Sequence, residues 1–203
     1  MHDLRWCSHH PSRTRVRSSA ASDGYKRQTV GHSILKGGKS TGVNGIVDEY
    51  NYNKKLAPML AEMLISQGNT VDVIICPERH FMSEREEFFY RVPKVNSGKY
   101  DLLVELHLNK ADGTQCGTEV LYYGTEGLEY AKRVSNRLGE LFENRGAKKR
   151  ENLYILRNTN PVAIQIESFF CDNVNDCNKA NESGYDYIAR LITEGILNKD
   201  INM

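Results

Sequence analysis

Histidine is the first residue type to examine for chemistry here. Three of the six histidines (His2, His9 and His10) crowd the amino terminus, so the rest of the chain has only His32, His80 and His107. His32 stands in Val30-Gly31-His32-Ser33, where a short strand should give way to a loop. His107 stands in Glu105-Leu106-His107-Leu108-Asn109, at the end of an apolar strand. In parallel α/β sheets, ligands and catalytic groups gather at the carboxyl ends of strands, so two histidines at two such ends can converge. Glu49, at the start of the first long helix, should point back to the same edge. Two imidazoles and one carboxylate with an open fourth position form a catalytic zinc geometry. Such a position holds a water whose pKa falls to about 7. Glu167 ends a further apolar strand, and a carboxylate there is costly to bury unless it is paired or used. If used, it would be the general base for the water and afterwards the acid for the leaving group. Spacing alone leaves a second reading open, in which the histidines are satisfied surface or core residues and Glu167 is a structural ion-pair partner.

The elements that must position these residues follow from periodicity. A short strand near Gln28–Gly31 runs into the Gly-rich loop Gly37–Gly45. Asp48 can cap a helix from Glu49 to Gln67, with Gly68 as its stop. Leu56, Leu60, Met63 and Leu64 give that helix one buried stripe, and Pro58 should kink it. Thr70–Cys76, Leu102–Leu108, Thr118–Tyr123, Leu153–Leu156 and Val162–Glu167 read as strands. Ser83 with Glu86 has the spacing of a capping box for a helix to about Asn96, which Pro93 should bend. A helix marked by Leu128, Ala131, Val134, Leu138, Leu141 and Phe142 should end near Asn144–Gly146. A short helical piece and a last helix over about Tyr185–Leu197 close the chain. Strands alternating with helices predict a single α/β domain around a mostly parallel sheet.

Composition narrows the class. The chain has 203 residues, 39% hydrophobic and 26% charged, which suits one globular domain. Its formal charge of +1 hides an asymmetry. Residues 1–28 hold six basic against two acidic side chains (+4), leaving 21 basic and 24 acidic elsewhere (−3). Residues 1–28 therefore read as a disordered basic leader or an added arm, and residues 29–203 as the catalytic domain. The acidic body gives no reason to expect nucleic acid as a partner. Apolar runs are too short to span a bilayer, so no membrane insertion is expected. The arm lacks the apolar core of a secretory signal peptide. Five cysteines without a C-x-x-C pair read as free thiols rather than a disulfide framework or a structural zinc site.

Four segments carry a family resemblance: Gly31-His32-Ser33, Glu49, Glu105-Leu106-His107-Leu108-Asn109, and Ile166-Glu167-Ser168-Phe169-Phe170-Cys171-Asp172-Asn173. In that order they resemble the zinc-dependent N-acetylmuramoyl-L-alanine amidases of the amidase-3 type, especially catalytic domains of clostridial phage endolysins and autolysins. Tyr50-Asn51-Tyr52-Asn53-Lys54, Val71–Glu78 and Asn144-Arg145-Gly146-Ala147-Lys148 add to the likeness, which runs from about Val30 to Asn198. The resemblance implies one zinc ion held by His32, Glu49 and His107, with Glu167 catalytic. It implies a twisted, mainly parallel sheet of about six strands flanked by helices. It also implies peptidoglycan as the partner, cut between N-acetylmuramic acid and L-alanine. An endolysin without a signal peptide would wait in the host cytoplasm until lysis. Two departures stand out. Ser33 replaces the usual Gly, and Tyr25-Lys26-Arg27-Gln28 occupies the place of an apolar first strand, which predicts a short or poorly anchored β-strand before His32.

Further residues have two readings each. Glu105 shares a strand face with His107 and is either a support for the metal site or a paired structural carboxylate. Asn109 either orients substrate or forms a turn. His80 reads as a surface histidine, and Tyr122 and Tyr123 as strand residues before sugar-stacking ones. Gly37-Gly38-Lys39-Ser40 is not a phosphate loop, because the first Gly of that motif would fall on Ser33. Two other functions fit the same residues: a zinc peptidase cutting within the stem peptide, and a wall-binding module whose hydrolytic site is silent.

Overall fold

The computed structural model describes residues 24–201. The strands are β1 (Tyr25–Val30), β2 (Thr70–Ile74), β3 (Leu102–Asn109), β4 (Thr118–Tyr122), β5 (Asn144–Lys149) and β6 (Val162–Phe170). The helices are α1 (Glu49–Ser66), α2 (Glu84–Asn96), α3 (Thr125–Leu138), α4 (Tyr154–Asn158) and α5 (Val174–Leu197). The strands form one six-stranded sheet in the order β2-β1-β3-β6-β4-β5. All neighbouring pairs are parallel except β4 with β6. The expected α/β fold with a mainly parallel sheet of six strands is the fold observed.

Helices cover both faces of the sheet, and the central strands carry apolar side chains into a core on each. Leu102, Val104, Leu106 and Leu108 of β3 join Ile164 and Ile166 of β6 in the larger core, under α1, α3 and α5. The alternate residues Leu103, Leu121 and Ala163 form a smaller core with Val92 and Val95 of α2 and Ile155 and Leu156 of α4. Strand alternation therefore puts Glu105, His107, Gln165 and Glu167 on the face toward α2 and α4. The candidate site residues thus share a face with the smaller core.

Several local expectations change. β1 begins at Tyr25 rather than near Gln28, and pairs along its length with both β2 and β3. Polar partners anchor it in place of an apolar sequence. Lys26 is buried and donates to Asn69 Oδ1, while Gln28 is fully buried against Ala57 O. The Arg27 guanidinium lies 4.1 Å over the Tyr100 ring and 3.7 Å from Asp72. The expected strand Leu153–Leu156 is instead α4, whose adjacent Ile155 and Leu156 fill the smaller core. A short apolar run cannot by itself separate strand from helix. The helix expected to reach Asn144–Gly146 stops at Leu138, and Asn144 opens β5, a polar edge strand paired with β4. Pro58 and Pro93 are both accommodated within continuous helices. Asp48 caps α1 as expected, accepting from Asn51 N at 2.8 Å. Glu86 reaches back to Met82 N rather than completing a capping box with Ser83. Of the basic arm, residues 1–23 lie outside the described residues.

Candidate metal centre and catalytic carboxylate

Three elements deliver the three expected metal ligands to one point. His32 follows the end of β1, Glu49 is the first residue of α1, and His107 lies near the end of β3. One oxygen of Glu49 lies 2.9 Å from His107 Nδ1 and the other 3.4 Å from His32 Nε2. The two imidazoles meet edge to face with ring centroids 4.7 Å apart. One donor atom from each of the three residues falls within 4.8 Å of the other two. Glu49 is also fixed by backbone, accepting from Val43 N at 2.7 Å and Leu108 N at 3.0 Å. Two imidazoles and a carboxylate in this proximity are the donor set that zinc prefers, so the residues present fit that ion.

Electrostatics follow from the same contacts. Burial opposes ionisation of Glu49, but hydrogen bonds from His107 and His32 outweigh it and hold its carboxyl well below the usual range. Burial likewise opposes charging of His107, yet the Glu105 and Glu49 carboxylates beside its ring raise its pKa well above the ordinary value. A proton and a metal cation compete for the same lone pair in such a site.

Glu167 stands beside this group, since His107 and Glu167 are direct partners across β3 and β6. The strand runs on to Phe170, so Glu167 lies inside β6 rather than ending it. Burial pushes its carboxyl pKa up, against the opposing influence of His107. Gln165 Nε2 donates to its Oε1 at 2.7 Å. Glu105 is fully enclosed, 3.7 Å from His107 Nε2 and 3.4 Å from Arg91 Nη2. Asn109 is not in a turn. It is the last residue of β3, and its amide reaches Glu119 Oε1 at 3.3 Å. His80 is exposed, edge-on to Phe81.

Among known sequences, the pattern of the N-acetylmuramoyl-L-alanine amidase family matches residues 29–198. The chain belongs to that family. Among solved structures, this chain resembles the catalytic domain of the CD27L endolysin targeting Clostridia Difficile. The two are 55% identical with a TM-score of 0.87, over 88% of this chain and 99% of that one. Cwp6 from Clostridium difficile is 26% identical with a TM-score of 0.75, over 89% of this chain and 30% of that one. The uncharacterized protein CPE1502 of Clostridium perfringens is 32% identical over 171 residues, 80% of this chain and 50% of its own length. The chain spans about half the length of the curated relatives it matches.

The candidate site contains residues that sequence reasoning missed. Glu119 is the β4 partner of Glu167 and lies 3.4 Å from Arg145 Nε. A carboxylate alternating with apolar residues in Thr118–Tyr122 was the signal available for Glu119. Glu87, Arg91 and Thr41 also come to the site, from a helix and a loop remote in sequence. Four cysteines, Cys76, Cys116, Cys171 and Cys177, are free thiols as expected, and Cys7 lies outside the described residues. No described helix is long and apolar enough to cross a membrane.

Proposed function

We propose that this protein hydrolyses the amide bond between N-acetylmuramic acid and L-alanine in bacterial peptidoglycan. In this reading His32, Glu49 and His107 hold one zinc ion, and Glu167 moves the proton. The observation that carries it is the convergence of the His32–Glu49–His107 group next to Glu167, in a chain of this family. When bound, zinc supplies Lewis acidity, polarising a carbonyl oxygen and lowering the pKa of water.

The chain's own residues supply the rest. Gln165 engages Oε1 of Glu167, which leaves Oε2 to take a proton from the attacking water and return it to the departing amine of L-alanine. Burial favours the first half of that role, because a carboxylate with a raised pKa is the stronger base for the proton of water. In the same reading Asn109, whose amide reaches Glu119 Oε1 at 3.3 Å, orients the substrate. Similarity to an endolysin catalytic domain supports action on the wall after release from the host cytoplasm at lysis.

The experiment is digestion of purified peptidoglycan. New L-alanine amino termini should appear, vanish with EDTA, and fall by about 10²–10⁴-fold in Glu167→Gln with zinc content unchanged. Reducing sugar ends without new amino termini would indicate a glycosidase instead. Mass spectra showing cuts between stem residues would indicate a peptidase, and wall binding without turnover a silent module.

A further inference from the structure

Helix α2 sends two fully buried side chains, one turn apart, toward the two histidines. Glu87 and Arg91 are each 0% exposed, although a carboxylate and a guanidinium are the groups least willing to leave water. Neither is a candidate ligand. We propose that Glu87 and Arg91 are positioning residues, which act through Thr41 and Glu105 to fix the ring orientation and tautomer of His32 and His107. This inference rests on the zinc reading of His32, Glu49 and His107.

The argument for His32 is one of proton counting. Thr41 Oγ1 lies 3.0 and 3.2 Å from the two oxygens of Glu87 and 3.3 Å from His32 Nδ1. A carboxylate only accepts, and a threonine hydroxyl has a single proton to give. The Ser33 hydroxyl donates to the same carboxylate. With the Thr41 proton on Glu87, the Thr41 oxygen can only accept from His32, so Nδ1 must carry the hydrogen. A neutral ring then keeps its lone pair on Nε2, against the pull of the Glu49 carboxylate 3.4 Å from that nitrogen, which by itself favours the other tautomer. Glu84, 3.9 Å from Nδ1, is also an acceptor and favours the same tautomer. A partner on the far ring nitrogen is how metal-binding histidines are commonly oriented.

Arg91 serves His107 in a parallel way. Its Nη1 donates to Val30 O at 3.1 Å and to Gly31 O, the backbone just before His32. Its Nη2 lies 3.4 Å from Glu105, which faces His107 Nε2. Neither oxygen of Glu105 has a hydrogen-bond partner, so the guanidinium is what offsets its buried charge. With Glu105 against Nε2, His107 keeps Nδ1 toward Glu49. Arg91 thereby ties the end of β1 to β3, the two strands that carry the histidines.

Two measurements on the full chain test this. In zinc-free protein above the imidazole titration range, two-bond ¹⁵N–¹H spectra report which nitrogen of His32 is protonated. Native protein and Thr41→Ser should show a larger Nδ1–H share than Thr41→Val, in which Glu49 is left to draw the hydrogen to Nε2. In competition between protein and chelator for zinc, Thr41→Val should bind about 10–100-fold more weakly at an unchanged zinc-free melting temperature, and Thr41→Ser should restore affinity. Arg91→Met should weaken zinc binding in the native background and add little in a Glu105→Gln background. Thr41→Val that keeps both the Nδ1–H tautomer and native affinity overturns the His32 half, and full additivity of Arg91→Met with Glu105→Gln overturns the other. Native protein that binds no zinc would defeat the metal reading, while the tautomer spectra would still decide the role of Thr41 and Glu87.

Discussion

The β-carbon that Gly31 lacks would lie 2.0 Å from Nε2 of His107. The imidazole therefore rests on bare backbone at the end of β1, where Gly31 N also donates to Leu106 O at 3.1 Å. That contact joins the two histidine-bearing strands at the site itself. The conformation of Gly31 does not demand glycine, so the lack of a side chain is what the position requires.

Gly31→Ala should therefore act on the site through His107. The added methyl must push the ring aside, and overpacking of this kind costs about 1–3 kcal/mol. We expect a lower denaturation midpoint together with weak zinc retention in dialysis against chelator. Native zinc affinity and activity in Gly31→Ala would show that the ring has room the geometry denies it.

Metal removal should inactivate the protein without unfolding it. Glu49 keeps His107, Val43 N and Leu108 N as partners when no cation is present, so the ligand group stays assembled. Zinc at about 100 times its dissociation constant should add about 2.7 kcal/mol of stability. Calorimetry should show this as a reversible rise in melting temperature, absent in Glu49→Gln. A melting temperature indifferent to zinc, with activity surviving chelation, would sink the metal assignment.

The parts of this fold legible in the sequence are those where the local pattern and the tertiary demand coincide. β3 is apolar along the face that meets the larger core, and α1 begins after Asp48 because its carboxylate caps Asn51 N. β1 is harder to read, since Lys26 and Gln28 are buried and Arg27 half-buried by partners from β2, α1 and the approach to β3. β5 has no apolar alternation and exists through pairing with β4. The same division runs through the site. His32, Glu49 and His107 sit at element ends that periodicity can place. Glu87 and Arg91 are charged residues on a helix, a pattern that normally marks a solvated face. Only the packing of α2 against the sheet shows that they point inward.

Stability should fall on the alkaline side. Burial pushes the Cys76 thiol up to about 11, and burial with Asp176 nearby pushes Cys177 up to about 11, from an ordinary 9.0. Unfolding frees both thiols to ionise, so above pH 9 the unfolded chain holds fewer protons than the folded one. Stability is thus full below pH 9 and is lost as pH rises toward 11, by up to about 1.4 kcal/mol per pH unit for each thiol. Urea midpoints between pH 8.5 and 10 should decline in native protein, and decline less steeply in Cys76→Ala/Cys177→Ala. Equal slopes for the two would remove the thiols as the cause.

The break in α5 offers a test of backbone strain separate from the metal. Gly184 divides the helix at φ +75°, ψ 168°, a region open essentially to glycine alone. It separates a first segment that places Cys177 against Phe170 O from a second that packs Ile188, Leu191 and Ile192 into the larger core. A β-carbon at Gly184 would meet nothing within 4 Å, so any cost of Gly184→Ala comes from the dihedral angles and not from a clash. We expect a loss of about 1–3 kcal/mol in urea unfolding. Zinc affinity should not change, because α5 contributes none of the three ligands. Gly37 is the control, with equally open space around its β-carbon and no positive φ. Gly37→Ala should be neutral or stabilising by up to about 1 kcal/mol through the unfolded chain. If the two substitutions cost the same, the left-handed geometry at Gly184 is not what sets the break in α5.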